Sequence, residues 1–103
     1  DYRLGNALEI IPELAGPFDM VFIDADKINY GKYYDLIIDK MNSGGIILAD
    51  NVLWSGKILI EKGKKIDKDT QALLDFNAMV QNDPRVENAL LPIRDGVMMA
   101  RKI

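Results

Sequence analysis

The chain has 103 residues, 13 basic and 16 acidic, with no histidine and no cysteine. That length holds one domain or part of one, and a composition 49% hydrophobic and 28% charged is that of a folded chain rather than a disordered one. A net charge of -3 gives no reason to expect nucleic acid or an anionic membrane as partner, and no apolar run approaches the ~20 residues of a membrane span.

The two missing residue types narrow the chemistry. Without cysteine there is no disulfide, no thiolate nucleophile and no sulfur-ligated zinc, which is compatible with the cytoplasm, the compartment expected here. Without histidine there is no Ser-His-Asp triad within the chain and no imidazole metal site. Catalysis must then use carboxylates, lysine, tyrosine, hydroxyls, amides or a hard cation held by oxygen.

Residues 1–5 lack an initiating methionine and run straight into a helical pattern, so the chain is expected to begin in mid-domain. Ala7, Leu8, Ile10, Ile11 and Leu14 form an apolar stripe that Gly16-Pro17 stops. Residues 18–23 are a nearly continuous apolar run closed by Asp24, and residues 44–49 are a second run closed by Asp50. Short runs without alternation predict parallel strands buried on both faces. Between them Tyr33, Tyr34, Ile37, Ile38 and Met41 predict a helix over residues 29–42 that Gly44-Gly45 ends. This is a strand-helix-strand unit.

Residues 55–68 are polar and lysine-rich and read as a surface loop. A further helix is expected over residues 69–82, with Ala72, Leu73, Phe76, Met79 and Val80 facing the core and Asp83-Pro84 ending it. Two last strands, over residues 86–93 and 97–102, flank Arg94-Asp95-Gly96, and Asp-Gly between apolar runs predicts an antiparallel hairpin.

In an open parallel sheet, ligands bind beyond the carboxyl ends of the strands. Asp24 and Asp50 hold that position, and on neighbouring strands about 4.8 Å apart their carboxylates can converge. Asn51 adds an amide oxygen, and such a set suits Mg²⁺, Ca²⁺ or Mn²⁺. Aspartates after strands also cap helices or make Asx turns, so the pattern leaves both uses open. Lys27, on the same loop as Asp24, is a candidate general base beside a cation, with a solvated surface lysine as the plainer reading. Trp54 and Ser55 follow Asp50-Asn51, where an aromatic wall and a hydroxyl can meet a substrate.

These residues carry a resemblance. The segment from Phe18 to Lys27, with Asn29-Tyr30 behind it, resembles the signature of the cation-dependent class I O-methyltransferases, which include the catechol and caffeoyl-CoA enzymes and their bacterial relatives. Residues 44–56 are similar to that family's second block, and Asp83-Pro84-Arg85-Val86 and Leu91-Pro92-Ile93-Arg94-Asp95-Gly96 to its tail. The similarity covers essentially the whole chain in the expected order.

The resemblance implies an α/β fold: the C-terminal half of a Rossmann-like sheet, with parallel strands and a final antiparallel hairpin strand. Residues 1–103 would be a single partial domain, since the family's glycine-rich turn and ribose-binding acid lie upstream of the matched region. It implies S-adenosylmethionine (SAM) as cofactor with a divalent cation, and transfer of a methyl group to a catechol-like aromatic hydroxyl. Asp24, Asp50 and Asn51 match the metal ligands, Asp24 also lying beside substrate and SAM, and Lys27 matches the general base. Ala7 matches an adenine-pocket position and Asp26 a SAM contact. Ser55, beside Trp54 in the substrate region, stands where plant members have a substrate-binding asparagine.

The reading from another class is a non-catalytic binding or assembly module derived from a methyltransferase. A missing first strand would leave residues 18–23 as an unpaired apolar edge, which predicts self-association into a dimer.

Overall fold

The computed structural model describes residues 1–53 and 66–103. Its elements in chain order are α1 (Ala7–Ile10), β1 (Phe18–Ile23), α2 (Tyr30–Ile38), β2 (Met41–Asp50), α3 (Lys68–Asn82), β3 (Val86–Leu91) and β4 (Val97–Lys102). The four strands form one sheet in the order β1-β2-β4-β3, with β1 and β2 parallel and the other neighbours antiparallel. This is the expected mixed α/β arrangement, with the Arg94-Asp95-Gly96 hairpin in place.

The element ends differ from the sequence pattern for local reasons. The first helix is one α-helical turn, capped by Asn6 Oδ1 accepting from the Leu8 N–H at 3.0 Å, and it tightens into a 3₁₀ turn at Ile11–Glu13 around Pro12. A proline there removes a backbone donor. The second helix stops at Ile38, and Met41 already belongs to β2. Lys102 Nζ donates to the carbonyls of Ile38 and Met41, at 2.9 and 3.0 Å, and so satisfies acceptors that the helix end leaves open. The third strand ends at Leu91, before Pro92 interrupts the ladder.

Between β1 and β2 the register runs Phe18↔Met41 and then Met20↔Ile46, so β2 carries extra residues opposite Asp19. Gly44 takes φ +84° there, and a Cβ on Gly45 would lie 2.8 Å from the Asn42 carbonyl oxygen. The irregularity therefore needs glycine at both places.

The expectation that the first strand is buried on both faces is corrected. Ile23, Ile47, Ala49, Met98 and Ala100 face inward and join Tyr30, Tyr34, Ile38, Leu73, Phe76 and Val80 in one core. Ala7, Leu8 and Ile11 pack against the same cluster. On the opposite face of β1, Met20 and Phe22 are 63% and 56% exposed. The described helices cover one side of the sheet, so its strands alternate in burial as half-covered strands do.

One polar contact fixes the chain where α3 meets β3. Tyr34 Oη donates to Asp83 Oδ2 at 2.8 Å, and Arg85 pairs with the same carboxylate at 2.8 Å. Arg85 is the main cause holding the Asp83 carboxyl well below the usual carboxylate range. A depressed folded-state value means stabilisation that is full above the unfolded-state value of 3.8 and fades as pH falls below it. Asp83→Asn should therefore cost about 1–2 kcal/mol at pH 7. Urea melts at stepped pH should show the gap between variant and parent closing progressively below about pH 4.

Candidate functional site

The parallel register sets the site. Ile23 pairs with Ala49, so the next residues, Asp24 and Asp50, leave adjacent strands side by side at their carboxyl ends. Neighbouring strands lie about 4.8 Å apart, which lets the two carboxylates approach one point. Asp24 is 57% exposed in its side chain, and Asp50 is half-buried. Asp50 Oδ1 accepts the Asn51 backbone N–H at 2.8 Å, so part of the plainer turn-making use of a strand-end aspartate is realised too.

Asn51 sits at φ +61°, in the left-handed region that asparagine tolerates better than most side chains. Its Nδ2 donates to Asp95 Oδ2 at 3.2 Å. The amide nitrogen is thereby engaged by Asp95, which leaves the amide oxygen as the group's acceptor. Backbone bonds reinforce the contact: Val52 N–H donates to the Gly96 carbonyl at 3.2 Å, and Leu53 N–H to that of Asp95 at 2.9 Å. The hairpin turn read from Asp-Gly is thus also the support for the Asn51 loop, a role that local sequence spacing does not signal.

Lys27 is not the solvated lysine of the plainer reading. It opens a 3₁₀ turn, Lys27–Asn29, and is 8% exposed. Its Nζ donates to Tyr30 Oη at 2.7 Å and to the Ala25 carbonyl at 3.2 Å, and it lies 4.0 Å from Asp24 Oδ1. A buried amine needs such partners, because an unpaired one would be costly to desolvate. Tyr30 supplies the key contact, and its burial is what raises its phenol above the ordinary value.

Asp26 lies on the exposed side of the same loop. Its carboxylate accepts from Tyr33 Oη and from Asn29 Nδ2, and the Tyr33 bond is the main cause that lowers its pKa. Burial, helped by that carboxylate, pushes Tyr33 up to about 12. Ala7, Phe22, Asp24, Ala25 and Tyr33 line a cavity of about 380 Å³ on the open side of β1. The structure therefore brings Ala7 and Asp24 to one cavity, with Asp26 behind Tyr33. Trp54 and Ser55 lie outside the described residues.

Among the described residues no three His, Cys, Asp or Glu side chains group as metal ligands. The residues at the strand ends are two carboxylates and an amide instead. With oxygen donors alone and no nitrogen or sulfur, the chemistry of the set fits a hard, oxygen-seeking ion.

The O-methyltransferase family model matches residues 1–103. The chain belongs to the O-methyltransferase family. Tricin synthase 2 of Oryza sativa subsp. japonica is 36% identical over all of this chain and 39% of its own length. The caffeoyl-CoA O-methyltransferase of Mesembryanthemum crystallinum is 37% identical over all of this chain and 44% of its own length. Among solved structures, the SAH-bound methyltransferase of Podospora anserina superposes with a TM-score of 0.84 at 34% identity, covering 96% of this chain and 47% of that one. The SAM complex of an O-methyltransferase from Streptomyces achromogenes gives 0.82 at 26% identity, covering 95% and 47%. The chain spans under half the length of these relatives. Its sheet is the Rossmann-like α/β sheet of SAM methyltransferases. Among the described residues no helix is long and apolar enough to cross a membrane.

The hairpin support of the Asn51 loop can be probed at Gly96. Gly96 has φ +82°, and a Cβ there would lie 2.4 Å from Leu53 Cγ. Gly96→Ala should cost about 1–3 kcal/mol in a denaturant melt, because the side chain meets both a left-handed backbone and a filled space.

Proposed function

We propose that the protein carrying this segment transfers the methyl group of SAM to a hydroxyl of a small catechol-like aromatic, with the help of a divalent cation. The observation that carries the reading is the meeting of Asp24, Asp50 and Lys27 at the ends of two paired strands, beside a cavity that also takes in Ala7. Family membership and the SAM- and SAH-bound relatives support it. The segment is then the C-terminal part of a larger cofactor-binding domain.

In this reading Asp24, Asp50 and Asn51 hold the cation, which when bound stabilises negative charge developing on a substrate oxygen. Lys27 accepts the hydroxyl proton at Nζ, fixed in place by Tyr30 Oη and the Ala25 carbonyl. Holding the oxygen and the methyl carbon at near-attack distance supplies much of the acceleration. Ala7 contributes to the adenine side of the cofactor pocket, Asp26 to a cofactor contact, and Trp54 and Ser55 to the substrate side.

The test uses the full-length protein with SAM and a catechol. Lys27→Ala should lower kcat by about 10²-fold or more, the ordinary contribution of a positioned base. Asp50→Ala should abolish cation-dependent turnover while the far-ultraviolet circular dichroism stays unchanged. Full activity in EDTA together with an active Asp50→Ala variant would refute the cation assignment.

The partner proposal is self-association of residues 1–103 when they are produced alone. β1 lies at the edge of the described sheet and carries exposed Met20 and Phe22. Such an edge pairs readily with another chain. Light scattering on this segment should give a dimer mass, and a monodisperse species of 11.6 kDa would exclude it.

A further inference from the structure

The proposed mechanism uses Lys27 and the strand-end oxygens, and it takes Tyr30 Oη only as a hold on the lysine. Tyr30 is the first residue of α2 and is 0% exposed. Its ring packs edge-on against Phe76 of α3, with centroids 5.5 Å apart, so the phenol has little room to move. A phenol has one proton to give. Tyr30 Oη gives it to the Asp50 carbonyl at 2.8 Å, while the Ile23 carbonyl lies further off at 3.5 Å. The same oxygen accepts from Lys27 Nζ at 2.7 Å. One buried oxygen thus touches the last residue of β2, lies beside the last residue of β1, and anchors the lysine.

We infer that Tyr30 is a positioning residue of the strand-end site: its hydroxyl ties the backbone of Asp50 to the amine of Lys27 and so fixes both relative to Asp24. The inference rests on the reading of these residues as a cation-assisted methyl-transfer site. Tyr30 takes neither the substrate proton nor the methyl group. It acts by restricting where Lys27 Nζ and the Asp50 carboxylate can be, and interactions one step behind ligands or catalytic groups commonly carry about 10–100-fold in affinity or activity.

A useful internal control exists. Tyr34 is also 0% exposed, stands on the same helix, packs on the same Phe76 ring and donates one part-buried hydrogen bond, but to Asp83 at the far end of α3. Removing either hydroxyl should cost stability, and Tyr30 more, because its oxygen also holds the buried Lys27 amine. If a hydroxyl in this layer merely holds the fold together, Tyr30→Phe and Tyr34→Phe should affect turnover alike.

The experiment compares Tyr30→Phe, Tyr34→Phe and the parent in the full-length protein, with SAM and a catechol as substrates and Mn²⁺ as the cation probe. For Tyr30→Phe the expected result is a kcat lowered about tenfold or more, KM for SAM within twofold of the parent, and Mn²⁺ affinity by calorimetry weakened severalfold. For Tyr34→Phe kcat and Mn²⁺ affinity should stay within twofold of the parent despite a lowered denaturation midpoint. A Tyr30→Phe variant with parental kcat and parental Mn²⁺ affinity overturns the inference, and so does an equal loss of kcat in both variants. A parent protein that neither binds Mn²⁺ nor methylates a catechol instead overturns the underlying reading of the site, and the two failures are distinguished by the parent alone.

Discussion

The pairing of Ile23 with Ala49 is the constraint on which the site depends. Parallel strands in register end together, and whatever follows each of them is delivered to the same place. Here a carboxylate follows on one strand and a carboxylate with an amide ends the other. A slip of one residue in β1 would turn Phe22 toward the helices and Ile23 away from them, exchanging the faces of that strand. The same burial that holds Ile23, Ala49 and Ile47 under α2 and α3 therefore also aligns the polar ends. Packing and chemistry are set by one register.

The helix that follows β1 adds a second level of control. Its first residue turns a tyrosine ring under the strand ends, and its third and fourth turn Lys32 outward and Tyr33 toward Asp26. Tyr30, Tyr33 and Tyr34 each direct a hydroxyl to a different aspartate residue: to the carbonyl of Asp50 and the carboxylates of Asp26 and Asp83. The loop, the second strand and the end of α3 are in this way all tied to one short helix.

Much of this was legible in the residue pattern, and what was not has local causes. Asp24 and Asp50 stood out because each closes an apolar run, and the hairpin stood out because Asp-Gly accepts the turn geometry. Met41 misled because it continues the helical spacing from Ile38 while being equally buried on β2. Periodicity cannot separate two elements that face the same core. The outward face of β1 misled because an apolar run does not reveal whether both of its sides are covered. Lys27 could be marked as a candidate, but its burial depends on Tyr30 folding beneath the strand ends, a tertiary event. Asp95 showed only as a turn residue, since its partner Asn51 is far away in the sequence.

The uneven covering of the sheet also bears on how strongly its charges are felt. Lys27 Nζ and Asp24 Oδ1 are 4.0 Å apart, one on a buried residue and one on a residue open to water. At that distance the attraction is about 1 kcal/mol in bulk water and about 4 kcal/mol in the medium near a protein surface. The geometry is the same in both cases, and only the dielectric surroundings differ. A layer placed over the Met20 and Phe22 side of the sheet would displace solvent from the neighbouring carboxylate without moving an atom of the cluster. Water exclusion is thus a control on the electrostatics of this site that is separate from the positioning of its residues.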